Sequence, residues 1–419
     1  MRTARKGIIS EKLYVLGRRE REEKGILNVG RYYAIDKSLG SNVYIDGVKP
    51  HVILICGKRG YGKSYTMGTF IEEIASLEEE VRKKIGVVVI DTLGIFWTTF
   101  YENRKEVNLL KKWGYEARGF PIKVFSSQGN VEEYKKRKID ADMLLIKTSE
   151  LSPSHWCQLF SVSLTEPVGV AIASAINCLK EEKEEYEIDE ILDYIKDIRK
   201  IKEDVKGAAE NFFQMAKSWN IFDKKGLPIS KIVQGGKTTI LDISSFSEDL
   251  KILIVTLIAR KIFEERVKER KRYEEKLMEG KESKEEIPLT WMAIDEAHVF
   301  LPMEECPSKD VLIKQWMRQG RQPGVSLILA TQRPSTLDPE VLSHSDIIIC
   351  HRLTAQEDID ALNKVRPTYM QGEIKEAIKK VGTEKGVALI IDDTSEAVHI
   401  IKIRPRLSWH GGEEPSALG

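Results

Sequence analysis

A chain of 419 residues with 42% hydrophobic residues has room for one large α/β domain with insertions, or for two to three smaller units. Its 66 Lys and Arg against 65 Asp and Glu leave a formal net charge of +1, which excludes a globally basic nucleic-acid binder and leaves only a local patch for such contacts. Five scattered cysteines without a CxxC pair, an opening MRTARKGIIS without an apolar core, and no membrane-length apolar run point to a reduced, soluble, cytoplasmic protein without disulfides or zinc ribbon.

Residues 1–50 read as a small β-rich segment, with strand-like runs at 29–35 and 42–45 about a turn at 37–41. The apolar run 52–56 follows, and directly after it comes Gly57-Lys58-Arg59-Gly60-Tyr61-Gly62-Lys63-Ser64. This matches the phosphate-binding pattern GxxxxGK[ST] at every fixed position. Gly57, Gly60 and Gly62 let the backbone turn tightly and bring N–H groups against phosphate oxygens. Lys63 supplies a point charge for the β- and γ-phosphates, and the Ser64 hydroxyl can ligate Mg²⁺. Met67, Phe70, Ile71, Ile74 and Leu77 recur at helical spacing, so a helix starts here and Tyr65 falls within its first turn. A glycine-rich structural turn is the plain alternative.

A second buried strand, 86–91, ends in Asp91, and the aromatic segment 96–101 precedes a basic stretch with Arg104, Lys105, Lys111 and Lys112. Such a segment could stack on bases in a pore, but aromatics of this kind are more commonly core. A short strand at 122–125 closes a first half of the core over 51–135. Residues 136–235 read as a charged helical insertion, in which Ile188, Ile191, Leu192, Ile195 and Ile198 share one face. The second half of the core spans 236–405. It opens with a strand at 238–243 and a helix at 248–280 whose charged end, from 264, should project into solvent. Strands at 289–295, 325–331 and 347–350 follow, with helices at 308–320, 355–365 and 372–381. A hairpin of 387–392 and 398–403 comes last, and a poorly ordered or exchanged tail over 406–419.

The strand at 289–295 ends in Asp295-Glu296-Ala297-His298. Asp295 can hold the metal shell opposite Ser64, and Glu296 can polarise an attacking water. Taken alone, such a pair can equally cap a strand. Gln332, at the tip of 325–331, suits a γ-phosphate sensor. Arg318, Arg321 and Arg352 lie near strand ends, where one of them could reach a neighbouring subunit as an arginine finger; a surface ion pair is the ordinary role for each.

With GKRGYGKS, IDEAH and GVSLILATQRPSTLDPEVLSHSDIIICHRL in view, the sequence resembles the HerA/FtsK superfamily of motor ATPases, and within it the archaeal HerA type. The resemblance implies a RecA-like, additional-strand P-loop core assembled as a homo-hexamer around DNA, using ATP and Mg²⁺. Lys63 and Ser64 would bind phosphate and magnesium, Asp295 and Glu296 would serve metal and water, and Gln332 would act as sensor. It also implies a NurA-type nuclease partner in DNA-end processing. Two departures stand out. Only some fifty residues precede the loop, so the family's N-terminal barrel is reduced. Gly94-Ile95-Phe96 also replaces a Gly-Glu-aromatic sequence, leaving Asp91 as the nearby carboxylate. Other readings are a conjugation or secretion motor, or a nucleotide-dependent scaffold that recruits an effector without translocating.

Overall fold

A computed structural model describes residues 14–18, 23–34, 36–198, 201–282, 285–364, 376–378 and 381–412. In chain order the first strands are β1 (Val15–Leu16), β2 (Ile26–Tyr33), β3 (Leu39–Asp46), β4 (Val52–Cys56), β5 (Ile85–Asp91), β6 (Ile122–Ser126) and β7 (Asp140–Met143). A short pair inside the insertion follows, β8 (Ile146–Lys147) and β9 (Phe222–Asp223). The rest are β10 (Thr238–Asp242), β11 (Leu289–Ile294), β12 (Val325–Thr331), β13 (Ile347–Cys350), β14 (Val387–Asp392) and β15 (Ala397–Ile403). Thirteen of them form one sheet in the order β1-β3-β2-β15-β14-β13-β4-β12-β11-β5-β10-β6-β7.

From β13 to β7 every pairing is parallel. Parallel strands are covered on both faces and therefore read as unbroken apolar runs, which is the pattern of VILIC, GVVVI and VSLILAT. Side chains still alternate between the two faces. Ile53 and Ile55 pack with Met67, Phe70 and Ile74 of helix α1 (Lys63–Ile74), whereas Leu54 and Cys56 join the opposite core. That second core continues into the insertion, whose four helices between Pro153 and Ser218 close around Trp156, Tyr186 and Phe213. Ile188, Ile191, Leu192 and Ile195 are buried as their spacing implied.

Strand β12 lies between β4 and β11, which is the additional-strand order of a RecA-like P-loop core. The N-terminal strands are not a separate barrel. β2 pairs antiparallel with β15 and so prolongs the core sheet.

Two further expectations are corrected. Residues 406–412 are no loose tail, since Arg406 and Ser408 are almost wholly buried against α1. The long helix Glu248–Met278 does not leave the protein at 264: buried Arg266 donates through Nε to Pro323 O at 2.8 Å and through Nη1 to Ile287 O, and the predominantly exposed end begins only at Lys271. The aromatic segment forms a short 3-10 helix, Phe96–Phe100, with Phe96 buried and Trp97 between Tyr134 and the Arg137 guanidinium, which is the packing role that such aromatics commonly take. The helix expected at 372–381 lies largely outside the described residues, as do 413–419.

Candidate nucleotide site

The loop after β4 passes through three glycines at φ 150°, 79° and 113° (Gly57, Gly60, Gly62), all in the region that side chains avoid. A Cβ on Gly57 would also come within 2.6 Å of the His351 Cβ, so the loop rests directly on the residue that ends β13. Buried His351 engages Val387 O through Nδ1 at 3.2 Å, which makes Nδ1 the protonated nitrogen; Nε2 then accepts from the Thr66 hydroxyl at 2.8 Å. Burial pushes this imidazole down to about 4, so it stays neutral and braces the loop without adding charge. The next residue grips the loop crown. Lys58 N donates to Arg352 O at 2.8 Å, and the Arg352 guanidinium donates to Tyr61 OH at 2.8 Å while lying over that ring. Sequence reasoning placed Arg352 among finger residues and missed His351. The signal was available in the position of both residues at the end of an apolar strand.

The residues singled out by the sequence motifs converge across three strand ends. Ser64 Oγ donates to Asp295 Oδ2 at 3.1 Å, and Asp295 Oδ1 accepts the Glu296 amide at 2.9 Å. Burial, with the neighbouring Glu296 charge added, pushes Asp295 up to about 6. Lys63 is buried, and its ammonium makes one long bond, 3.4 Å to Lys58 O. Burial draws its pKa down, against the pull of Glu296 and Asp295. Glu296 adopts the left-handed conformation at φ 50°, a strained position for a glutamate. Gln332, delivered by β12 between the two other strands, donates through Nε2 to Glu296 Oε1. The second oxygen, Glu296 Oε2, is buried with no hydrogen-bond partner, and His298 Nδ1 lies 3.5 Å from it.

The remaining sequence candidates fall elsewhere. Arg318 and Arg321 sit at the opposite end of the central strands, beside His51 and Val325, around a cavity of ≈ 290 Å³. Arg318 forks Glu340 with bonds of 3.0 and 2.7 Å. Neither arginine borders its own chain's loop. Asp91 is not alone, because β10 places Asp242 directly beside it in register. Burial and the Asp242 charge push Asp91 up to about 7. Its oxygens accept four backbone amides, among them Gly94 N at 2.8 Å and Phe96 N at 2.7 Å, so it caps the short 3-10 helix.

A cleft of ≈ 580 Å³ opens from Gly60, Gly62, Lys63 and Ser64 towards Trp113, Lys402 and His410, a size typical of small-molecule sites. An under-partnered buried ammonium, a serine hydroxyl on a buried carboxylate and an orphaned carboxylate oxygen are the groups that a magnesium-bound nucleotide triphosphate would satisfy, so the donor set fits it.

The family model described as the central domain of helicase HerA matches residues 27–262. This chain belongs to the HerA central-domain family. The HerA match runs from β2 to the long helix and contains the phosphate loop, while Asp295, Glu296 and Gln332 come from beyond it. The DNA double-strand break repair helicase HerA of Saccharolobus solfataricus is 32% identical over 222 residues, 52% of this chain and 41% of that protein. The protein of the same name from Pyrococcus furiosus is 25% identical over 187 residues, 41% of this chain and 33% of that one. The chain therefore spans well under half of the length of these HerA relatives. VirB4 of Thermoanaerobacter pseudethanolicus superposes with a TM-score of 0.55 at 13% identity, covering 91% of this chain and 97% of that one, which shows the shared RecA-like fold. Among the described residues no helix is long and apolar enough to cross a membrane.

Proposed function

We propose that this chain is an ATP-hydrolysing ring motor that translocates on or unwinds DNA. The observation that carries it is the convergence of Lys63, Ser64, Asp295, Glu296 and Gln332 at neighbouring strand ends of a HerA-family core. Lys63 neutralises the β- and γ-phosphates, and the loop amides of Gly57–Ser64 cradle them. Ser64 and Asp295 would hold Mg²⁺, which would offset the negative charge of the phosphates. Glu296 takes a proton from the attacking water at Oε2, the oxygen without a partner, while Gln332 fixes the other oxygen and so aims it.

The assembly part of the proposal is a homo-hexamer with an intersubunit site. Arg318 and Arg321 lie at the strand ends away from their own loop, so either could serve as a finger only towards a neighbouring copy. Arg352 already supports its own loop through Tyr61. The relatives' names support DNA double-strand break repair as the setting, and a nuclease of NurA type is the partner that the motif resemblance implies.

ATP turnover with and without duplex and single-stranded DNA tests this reading, alongside particle mass with an ATP analogue. Turnover rises with DNA if the protein is a motor, and Lys63→Ala abolishes it. Indifference to both forms of DNA would sink the motor reading and favour a scaffold.

A further inference from the structure

The sequence gives no hint of what faces the phosphate loop across the cleft, and the strap formed by residues 404–412 supplies it. Arg404 and Arg406 lock the strap to α1. Glu72 accepts Arg404 Nη1 at 2.9 Å, Arg406 Nε at 3.0 Å, the amides of Leu407 and Ser408 at 2.9 and 3.0 Å, and the Ser408 hydroxyl at 2.6 Å. Arg406 N also donates to Tyr65 OH at 2.7 Å, and that hydroxyl donates to Glu106 at 2.7 Å. Both hydrogen-bonding directions of the phenol are thereby used, and Tyr65 becomes a fixed aromatic wall with the His410 ring set edge-on to it at 5.3 Å.

His410 lines the same cleft as Gly60 and Lys63. Its Nδ1 faces the Arg406 guanidinium at 3.5 Å, and because a guanidinium can only donate, Nδ1 accepts and Nε2 carries the hydrogen. Burial, with Arg406 nearby, pushes the imidazole down to about 3, so the ring stays neutral. Beside Nε2 lies Gly412, where an added Cβ would come within 3.0 Å of that nitrogen; the missing side chain keeps the donor edge open. Trp113 and the half-exposed Leu109 close the far side.

We infer that this wall is the nucleoside subsite of the triphosphate site, taking a purine ring between the 107–113 helix and the strap, with His410 Nε2 donating to an acceptor nitrogen of the base. The inference rests on the ATP reading above. With phosphates on Gly60–Ser64, the nucleoside leaves the loop along the open cleft, and the cleft leads to His410. A flat apolar wall with one fixed donor recognises the base by shape and one hydrogen bond.

The test compares dissociation constants of ATP, CTP and inorganic tripolyphosphate for the full chain and for His410→Ala and Gly412→Val. Gly412 is exposed, so that second variant does not threaten folding. ATP binds tighter than CTP, and each variant weakens ATP about tenfold while tripolyphosphate shifts by less than about twofold. Unchanged ATP affinity in both variants, or equal weakening of ATP and tripolyphosphate, overturns the subsite. Failure of the unmodified protein to bind either ATP or tripolyphosphate overturns the ATP reading itself, and the subsite with it.

Discussion

Helix α1 carries buried charge in two opposite settings. At its first turn, Lys63 and Ser64 face carboxylates with few partners, and Asp295 is pushed up to about 6. Further along, Glu72 is just as buried, yet its carboxylate takes five donors. Burial pushes its pKa upward, but Arg404 and Arg406 prevail and hold it below the usual carboxylate range. The same helix thus presents one finished electrostatic cluster and one unfinished one. The unfinished cluster is where a ligand adds most, because under-partnered buried groups are the ones a bound phosphate and cation complete.

Glu72→Ala attacks the finished cluster and should have the largest effect. It strands the buried Arg406 guanidinium and leaves Arg404 with Glu73 alone, and should cost about 4 kcal/mol in denaturant unfolding. An unchanged midpoint would show that the strap does not depend on Glu72. Glu296→Gln attacks the unfinished cluster. Turnover should fall by about a hundred- to a thousandfold with ATP still bound, and retained turnover would take Glu296 out of the chemistry.

At the other end of the strands, just before β4, His51 supplies a third case. Burial pushes its pKa down, but Asp346 at 2.6 Å and Asp46 at 3.4 Å outweigh this and raise it to about 9 from 6.5, with Arg18 sharing Asp46. The folded state holds this proton more tightly than the unfolded chain does. Its contribution is therefore complete below pH 6.5 and is lost as pH rises through about 9. Unfolding free energy should drop by roughly 3 kcal/mol across that window, and His51→Gln should flatten the drop. Persistence of the full slope in the variant would assign it to other groups. The smallest effect is expected for Asp295→Asn. With the buried charge removed, the nucleotide-free protein should gain on the order of 2 kcal/mol near pH 8 while losing turnover, and a lower melting temperature would argue that Asp295 is well paired after all.

How much of this was readable beforehand follows from how local each feature is. The phosphate loop and the Asp295-Glu296 pair declare themselves within eight residues of sequence, and an apolar run locates each on a strand end. Gln332 was readable for the same reason. Asp242 escaped because its place beside Asp91 depends on strand order, which separates neighbours in space by 151 positions in the chain. Arg406–Gly412 read as a tail because RLSWHGG has no periodicity. Its burial comes from Glu72, a residue that helical spacing marks only as a charge. The N-terminal segment showed its strands but not their partner, since β15 lies at the far end of the chain.

The strap's dependence on Glu72 has a consequence for biosynthesis. Arg404 follows Glu72 by 332 residues, so a ribosome emits the phosphate loop and its helix long before the groups that complete them. Until the strap emerges, α1 carries a carboxylate that has no place in an apolar core, and the cleft lacks one wall. Nucleotide can therefore give little help to early folding, and a polypeptide stalled before residue 404 should stay a client of chaperones instead of becoming a partial enzyme.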